Sequence, residues 1–258
     1  MVGSAHAVIV FLLAGFNALF AEEPPVPAHE LGLEASVDFA SRYIWRGYDI
    51  TDKKPALHPS ITYSPPMVPG LSANFYSSLG FDLPKSGGIT GNKWTDIDAY
   101  LDYRHELIPS KLEGSVGLLW YEWYSQASSA TGADGNARDD FDLKLRLDYT
   151  LHRYFKPYLA YYRGLNSDIK GNYSEFGVSS SVTLSKHWST APSVQAAFSD
   201  QYGLEGKFSF VGLSLPATFR VGHFGLTPYF NFILPLEDLN GEGRRGIPVG
   251  GISLSYSF

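Results

Sequence analysis

At 258 residues the chain is long enough for one large domain or two small ones, and with no cysteine it can form neither a disulfide framework nor a thiolate metal site. Its net charge of −6 argues against nucleic acid as a partner, because that binding calls for a basic patch. A mean hydropathy of −0.10 separates neither membrane from soluble chains, so the pattern of residues must decide.

The first element is an apolar run at residues 7–20, AVIVFLLAGFNALF, about the length of a signal-peptide core and short for a spanning helix. Ala18 and Ala21 are the small residues that could mark cleavage, although the preceding segment offers only His6 in place of Lys or Arg. The reading is a signal peptide over 1–21, a short periplasmic segment over 22–30 and one domain over 31–258, with a buried N-terminal helix as the alternative.

From residue 31 onward no helical period is convincing; alternation with period two recurs instead. In 31–46, Leu33, Ala35, Val37, Phe39, Tyr43 and Trp45 oppose Glu34, Ser36, Asp38, Arg42 and Arg46. In 95–106, Ile97, Ala99, Leu101 and Tyr103 oppose Asp96, Asp98, Asp102 and Arg104. In 139–151, Phe141, Leu143, Leu145, Leu147 and Tyr149 oppose Asp142, Lys144, Arg146 and Asp148. The last strand sets Ile252, Leu254, Tyr256 and Phe258 against Ser253, Ser255 and Ser257. Weaker alternation at 57–63, 71–81, 111–124, 156–164, 172–185, 191–198, 207–221 and 226–234 brings the total to about twelve strands, each near the ~9–11 residues that cross a bilayer at a tilt. The stretch 207–221 changes parity between Phe210 and Val211 and contains Pro216, so it holds either a bulge or a miscounted strand.

Connections alternate in length. Short ones at 64–70, 107–110, 152–155, 186–190 and 222–225 interleave with mostly longer ones at 47–56, 82–94, 125–138, 165–171, 199–206 and 235–247, as in a barrel with periplasmic turns and extracellular loops. A soluble sandwich also alternates, but its apolar face carries packed Val and Ile. Here that face carries aromatics near strand ends, with Tyr43, Trp45, Trp94, Tyr103, Trp120, Tyr149 and Trp188 as interfacial girdle candidates. The fold expected is all-β: a transmembrane antiparallel up-and-down barrel with lipid outside and water inside.

The segment SRYIWRGYDITDKKPALHPSITY (41–63) resembles the first hairpin of the TorF family of porin-like outer-membrane proteins of Gram-negative bacteria. Ser41, Tyr43, Arg46, Gly47, Thr51, Pro55, Ala56 and Tyr63 carry the likeness. The terminal Phe258, with Tyr256 two residues before it, resembles the signal by which the barrel-assembly machinery recognises its clients. The resemblance implies family, fold and an outer-membrane location, and no catalytic residues.

Chemistry points the same way. His105, His152, His187 and His223 fall on four separate turns, an arrangement of solvated turn residues rather than a catalytic set, so no enzyme is expected. No spacing suggests a metal or cofactor site; TGADGNARDD (131–140) is acidic enough only to hold a cation weakly. The inward charges Asp38, Arg42, Arg46, Asp98, Asp102, Arg104, Asp142, Lys144, Arg146 and Asp148 are the pore-lining candidates. They either pair and brace the barrel or set charge selectivity. Arg42 and Arg46, four residues apart on one strand, should face the same side with acids opposite them. The function expected is a monomeric porin-like channel for passive diffusion of small polar solutes or ions, with a weak cation preference. A closed or plugged barrel acting through its extracellular loops is the alternative. Its partners would be outer-membrane lipid, the barrel-assembly machinery and the solutes themselves.

Overall fold

The computed structural model describes residues 31–84, 90–123, 138–152, 154–165, 171–200, 206–238 and 244–258. The expected signal peptide and most of the acidic stretch 131–140 lie outside them. Sixteen strand segments occur: β1 (Leu33–Ala40), β2 (Ile44–Trp45), β3 (Tyr48–Asp49), β4 (Ala56–Tyr63), β5 (Leu71–Pro84), β6 (Thr90–Ile108), β7 (Leu112–Trp123), β8 (Arg138–Tyr149), β9 (Lys156–Gly164), β10 (Gly171–Ser179), β11 (Val182–Thr183), β12 (Trp188–Thr190), β13 (Ser193–Ser199), β14 (Lys207–Val221), β15 (Phe224–Pro235) and β16 (Ile247–Ser257). β10 with β11, and β12 with β13, each form one interrupted stave, and β2 with β3 pair apart from the main sheet. What remains is a closed antiparallel barrel of twelve staves.

Closure is made by the first and last strands, in register from Glu34 against Ser257 to Ala40 against Gly251. The terminal Phe258 N–H donates to the Leu33 carbonyl at 2.8 Å, and Leu31 N–H donates back to Phe258 at 3.2 Å. A closed sheet leaves no unpaired edge, the condition for a β-structure in hydrocarbon. Alternation does the rest. Val37, Leu101, Leu118, Leu145, Phe176 and Ile252 all stand exposed on the outer face, where lipid takes the place that a protein core would fill in a sandwich. Tyr256 and Phe258 lie on the same outer face with ring centroids 4.9 Å apart.

Turn chemistry is local. Gly70 holds φ +88° and lies so close to the next strand that a Cβ there would sit 2.1 Å from the Arg104 carbonyl oxygen. Gly222 and His223 form a two-residue turn between Val221 and Phe224. The parity change in β14 is a bulge: Ala197 faces Phe210 while Phe198 faces Phe208, so Ser209 is the extra residue and the strand is single. Pro216 sits where the neighbouring stave is itself broken at Ala191 and Pro192, so its missing N–H falls at an interruption. The expected 82–94 connection is mostly strand, because β5 and β6 remain paired out to Pro84 against Thr90. The 186–190 turn likewise shortens, since Trp188–Thr190 pair with β14.

One expectation fails in an informative way. The strand read over 31–46 ends at Ala40. Residues 41–55 leave the wall and fold into the lumen as a small hairpin, with Ile44 against Asp49 and Trp45 against Tyr48. Tyr43 and Trp45 are therefore not girdle residues. Tyr43 is buried with Tyr48, Ile50, Tyr121 and Trp123 in an apolar cluster inside the barrel, and Trp45 packs against it. Trp94, Tyr103, Tyr149 and Trp188 do stand exposed on the outside.

Candidate functional site: a hairpin inside the lumen

The hairpin turns on Arg46 and Gly47, at φ 48° and 90°. Two successive left-handed residues make the tight turn whose twist suits a two-residue hairpin, and a non-glycine residue held there costs about 1 kcal/mol or more. The surroundings hold it in place. The Arg46 guanidinium donates to Asp142 on β8 and, at 3.3 Å, to the Tyr121 hydroxyl. It also stacks over the rings of Trp45 at 4.5 Å, Tyr173 at 4.6 Å and Tyr162 at 5.0 Å. Side-chain exposure is 7% for Arg46 and 5% for Asp142, so the pair is desolvated and each partner needs the other.

Further attachments fasten the hairpin base. The Tyr43 hydroxyl donates to Asp96 on β6 at 2.8 Å, and the Tyr43 N–H donates to the Thr51 hydroxyl at 3.0 Å. Arg42 pairs within the segment, with Asp49 at 3.4 Å. Burial pushes the Asp49 carboxyl up, against the opposing pull of the Lys53 N–H and the Arg42 charge. Arg42 and Arg46 thus do not share one face of one strand, as alternation suggested; the first pairs within the hairpin and the second with the barrel wall.

The remaining charged candidates stay on the wall. Asp98 is fully buried and accepts from the Tyr100 hydroxyl at 2.5 Å. Asp102 takes Lys144 at 3.0 Å and Arg104 at 3.2 Å. Arg146 donates twice to its strand neighbour Asp148, each at 2.7 Å. Asp38 accepts from Tyr229 at 2.8 Å and lies 3.1 Å from His58 Nδ1. Three groups therefore form: Arg46 with Asp142, the Asp102 triad, and the Arg146–Asp148 couple. Asp38 and Asp98 join no ion pair with another member of the set.

Missed by the sequence reading were Tyr121, Tyr162 and Tyr173, which hold the guanidinium; Asp96 was read as an inward charge, but not as the anchor of Tyr43. A usable signal was present. Trp45-Arg46-Gly47-Tyr48 places a glycine at the second turn position between two aromatics, which is a hairpin cue as much as a strand.

Beyond the hairpin tip lies a cavity of about 450 Å³. Trp45, Arg46 and Tyr162 line one side of it, and Gln195, Ser214 and Asn231 the other. Closed sheet, lipid-facing outer surface and occupied lumen together define the molecule as a twelve-stranded transmembrane β-barrel.

Comparison with known proteins supports that class and goes no further toward a family. No family model and no curated sequence matches the chain. Among solved structures, the KdgM porin in complex with disordered oligogalacturonate aligns with a TM-score of 0.55 at 9% identity, over 87% of this chain and 99% of that one. The COG4313 outer membrane channel from Pseudomonas putida F1 aligns with 0.53 at 10%, over 93% and 100%. LpxR from Salmonella typhimurium aligns with 0.51 at 9%, over 87% and 100%. At such identities the likeness is one of fold.

Proposed function

We propose that the protein is an outer-membrane channel of a Gram-negative bacterium that passes small polar solutes or ions by passive diffusion, with charge selectivity no stronger than a weak cation preference. The observation that carries this reading is the unfilled cavity between the hairpin tip and the far wall. A plug built only to seal would press against every side. The excess of acids over bases on the wall supports the direction of the preference. Its weakness is supported by burial: Asp96, Asp98 and Asp142 are covered and engaged by Tyr43, Tyr100 and Arg46 respectively.

A non-enzymatic role fits the histidines. His105, His152, His187 and His223 each pack against an aromatic ring, of Tyr103, Tyr154, Phe219 and Tyr256 in turn, the last three at turns and His105 within β6, paired with Gly114. The likeness of residues 41–63 to the TorF family supports counting the chain with proteins of that kind, and in this proposal Tyr256 and Phe258 are its assembly signal and a monomer its working form. The competing reading, a plugged barrel, is favoured by the apolar packing of the hairpin, since Ile44 also rests on Ala40, Ile247 and Val249. Single-channel recording of the refolded protein in a planar bilayer under a salt gradient separates the two. Discrete steps with a small reversal potential of cationic sign are expected; a folded, heat-modifiable barrel that carries no current overturns the channel.

A further inference from the structure

The side of the cavity facing the hairpin differs in chemistry from the rest of the lumen. On three adjacent strands the register sets Ser193 against Ser214 and Ser214 against Asn231, one continuous row across β13, β14 and β15. One pleat away, Gln195 faces Gly212. Neighbouring strands lie about 4.8 Å apart, so the row of hydroxyl, hydroxyl and amide is about 10 Å wide.

Its polar groups are oriented. Tyr158 crosses over Gly177, where a Cβ would come within 2.8 Å of its ring, and its hydroxyl donates to Gln195 Oε1 at 2.9 Å. That bond fixes the amide and leaves its N–H groups as donors. Asn231 is half-buried on the same cavity face, and its amide carries both donors and an acceptor. Ile44 and the half-buried Trp45 of the hairpin line the same cavity, one apolar group and one aromatic.

Charge is balanced. The Arg46 guanidinium is neutralised by Asp142, while Glu175 lines the same cavity with its carboxylate held by the Tyr173 hydroxyl at 2.6 Å. Among the described residues, an anionic solute would meet the Glu175 carboxylate here and no cation but the paired Arg46. A volume of about 450 Å³ lies within the ~300–1,000 Å³ typical of small-molecule sites.

We infer that this cavity is a binding station for an uncharged, hydroxyl-rich ring solute, a neutral sugar or cyclic polyol, with its hydroxyls on the Ser193–Ser214–Asn231 row and Gln195 and its C–H face toward Ile44 and Trp45. The inference rests on the channel reading for its role in transport, but binding can be read separately. In a bilayer, neutral mono- and disaccharides block the ion current in proportion to concentration, and glucuronate at the same concentration blocks far less. Asn231→Leu raises the half-blocking concentration about tenfold, the loss of one or two hydrogen bonds. Steady current that no neutral sugar reduces, or equal block by glucuronate, overturns the inference while leaving the channel intact. If the barrel carries no current, the channel fails and tryptophan fluorescence decides the site. A saturable shift on adding neutral sugar, lost in Trp45→Phe, upholds it, and a flat titration in the folded protein overturns it.

Discussion

The two halves of the lumen follow opposite rules. From β5 to β10 the inward positions carry Asp96, Asp98, Asp102, Asp140, Asp142 and Glu175 among tyrosines and bases, and Tyr43, Trp45, Arg46 and Tyr48 of the hairpin lie against this wall, while Ile44 reaches β1 and β16. From β13 to β16 the inward positions carry Ser193, Gln195, Gly212, Ser214, Thr218, Thr227, Asn231, Ser253 and Ser255. Among the described residues, alternation gives those four strands only two inward charges, Lys207 and Arg220, one near each rim. One wall is charged and covered; the other is neutral and faces the cavity. Counting lumen charges therefore overstates what a passing solute meets. Buried acids that are engaged by hydroxyls and a guanidinium brace an inserted segment, whereas the neutral wall offers hydrogen bonds without a field.

The contrast can be broken most severely by moving a charge across it. Ser214→Asp places a carboxylate on the open wall and should turn a weak selectivity into a strong cationic one, read as a large reversal potential under a salt gradient. Asp98→Asn, on the covered wall, should leave that potential nearly unchanged. The hairpin's attachment is the next lever. Asp142→Ala leaves Arg46 buried without its counter-ion and should weaken local protection of the hairpin by about 3 kcal/mol, seen as amide exchange at Trp45 and Tyr48 about a hundredfold faster. Tyr43→Phe removes one hydroxyl bond to a carboxylate and should weaken it by about 1.5 kcal/mol in the same measurement. Arg104→Gln should do least. Its side chain is 57% exposed where it meets Asp102, and an exposed pair contributes about 0–1 kcal/mol, so hairpin exchange should not move.

Much of this architecture was legible before any coordinates. Twelve alternating stretches correspond to twelve staves, because in a barrel each inward residue meets water or lumen groups and each outward residue meets lipid, and that contrast writes itself into every strand. The inner hairpin was not legible by the same rule. Tyr43, Trp45 and Arg46 continue the alternation of β1 almost in phase, so a period-two reading carries the strand past Ala40 without a break. What ends it is tertiary: Asp142 and the Tyr121, Tyr162 and Tyr173 rings, roughly 75 to 130 residues away along the chain, draw the guanidinium inward. Even the sequence pairing of Arg42 with Arg46 dissolved, since Asp49 claims the first and Asp142 the second. The cavity site was harder still. Its groups are spread over β13, β14 and β15, and only the register places Ser193, Ser214 and Asn231 in one row.

The most direct test of the covered-wall account removes the cover. Ala40 and Ala56 are paired across β1 and β4, so residues 41–55 can be replaced by an Asn-Gly turn that joins the two strands without altering the barrel. Single-channel conductance and reversal potential of this variant are then compared with those of the native chain. The account predicts a several-fold larger conductance and a strengthened cation preference as Asp96, Asp98 and Asp142 meet the aqueous path. A folded barrel whose conductance and selectivity match the native protein would contradict it.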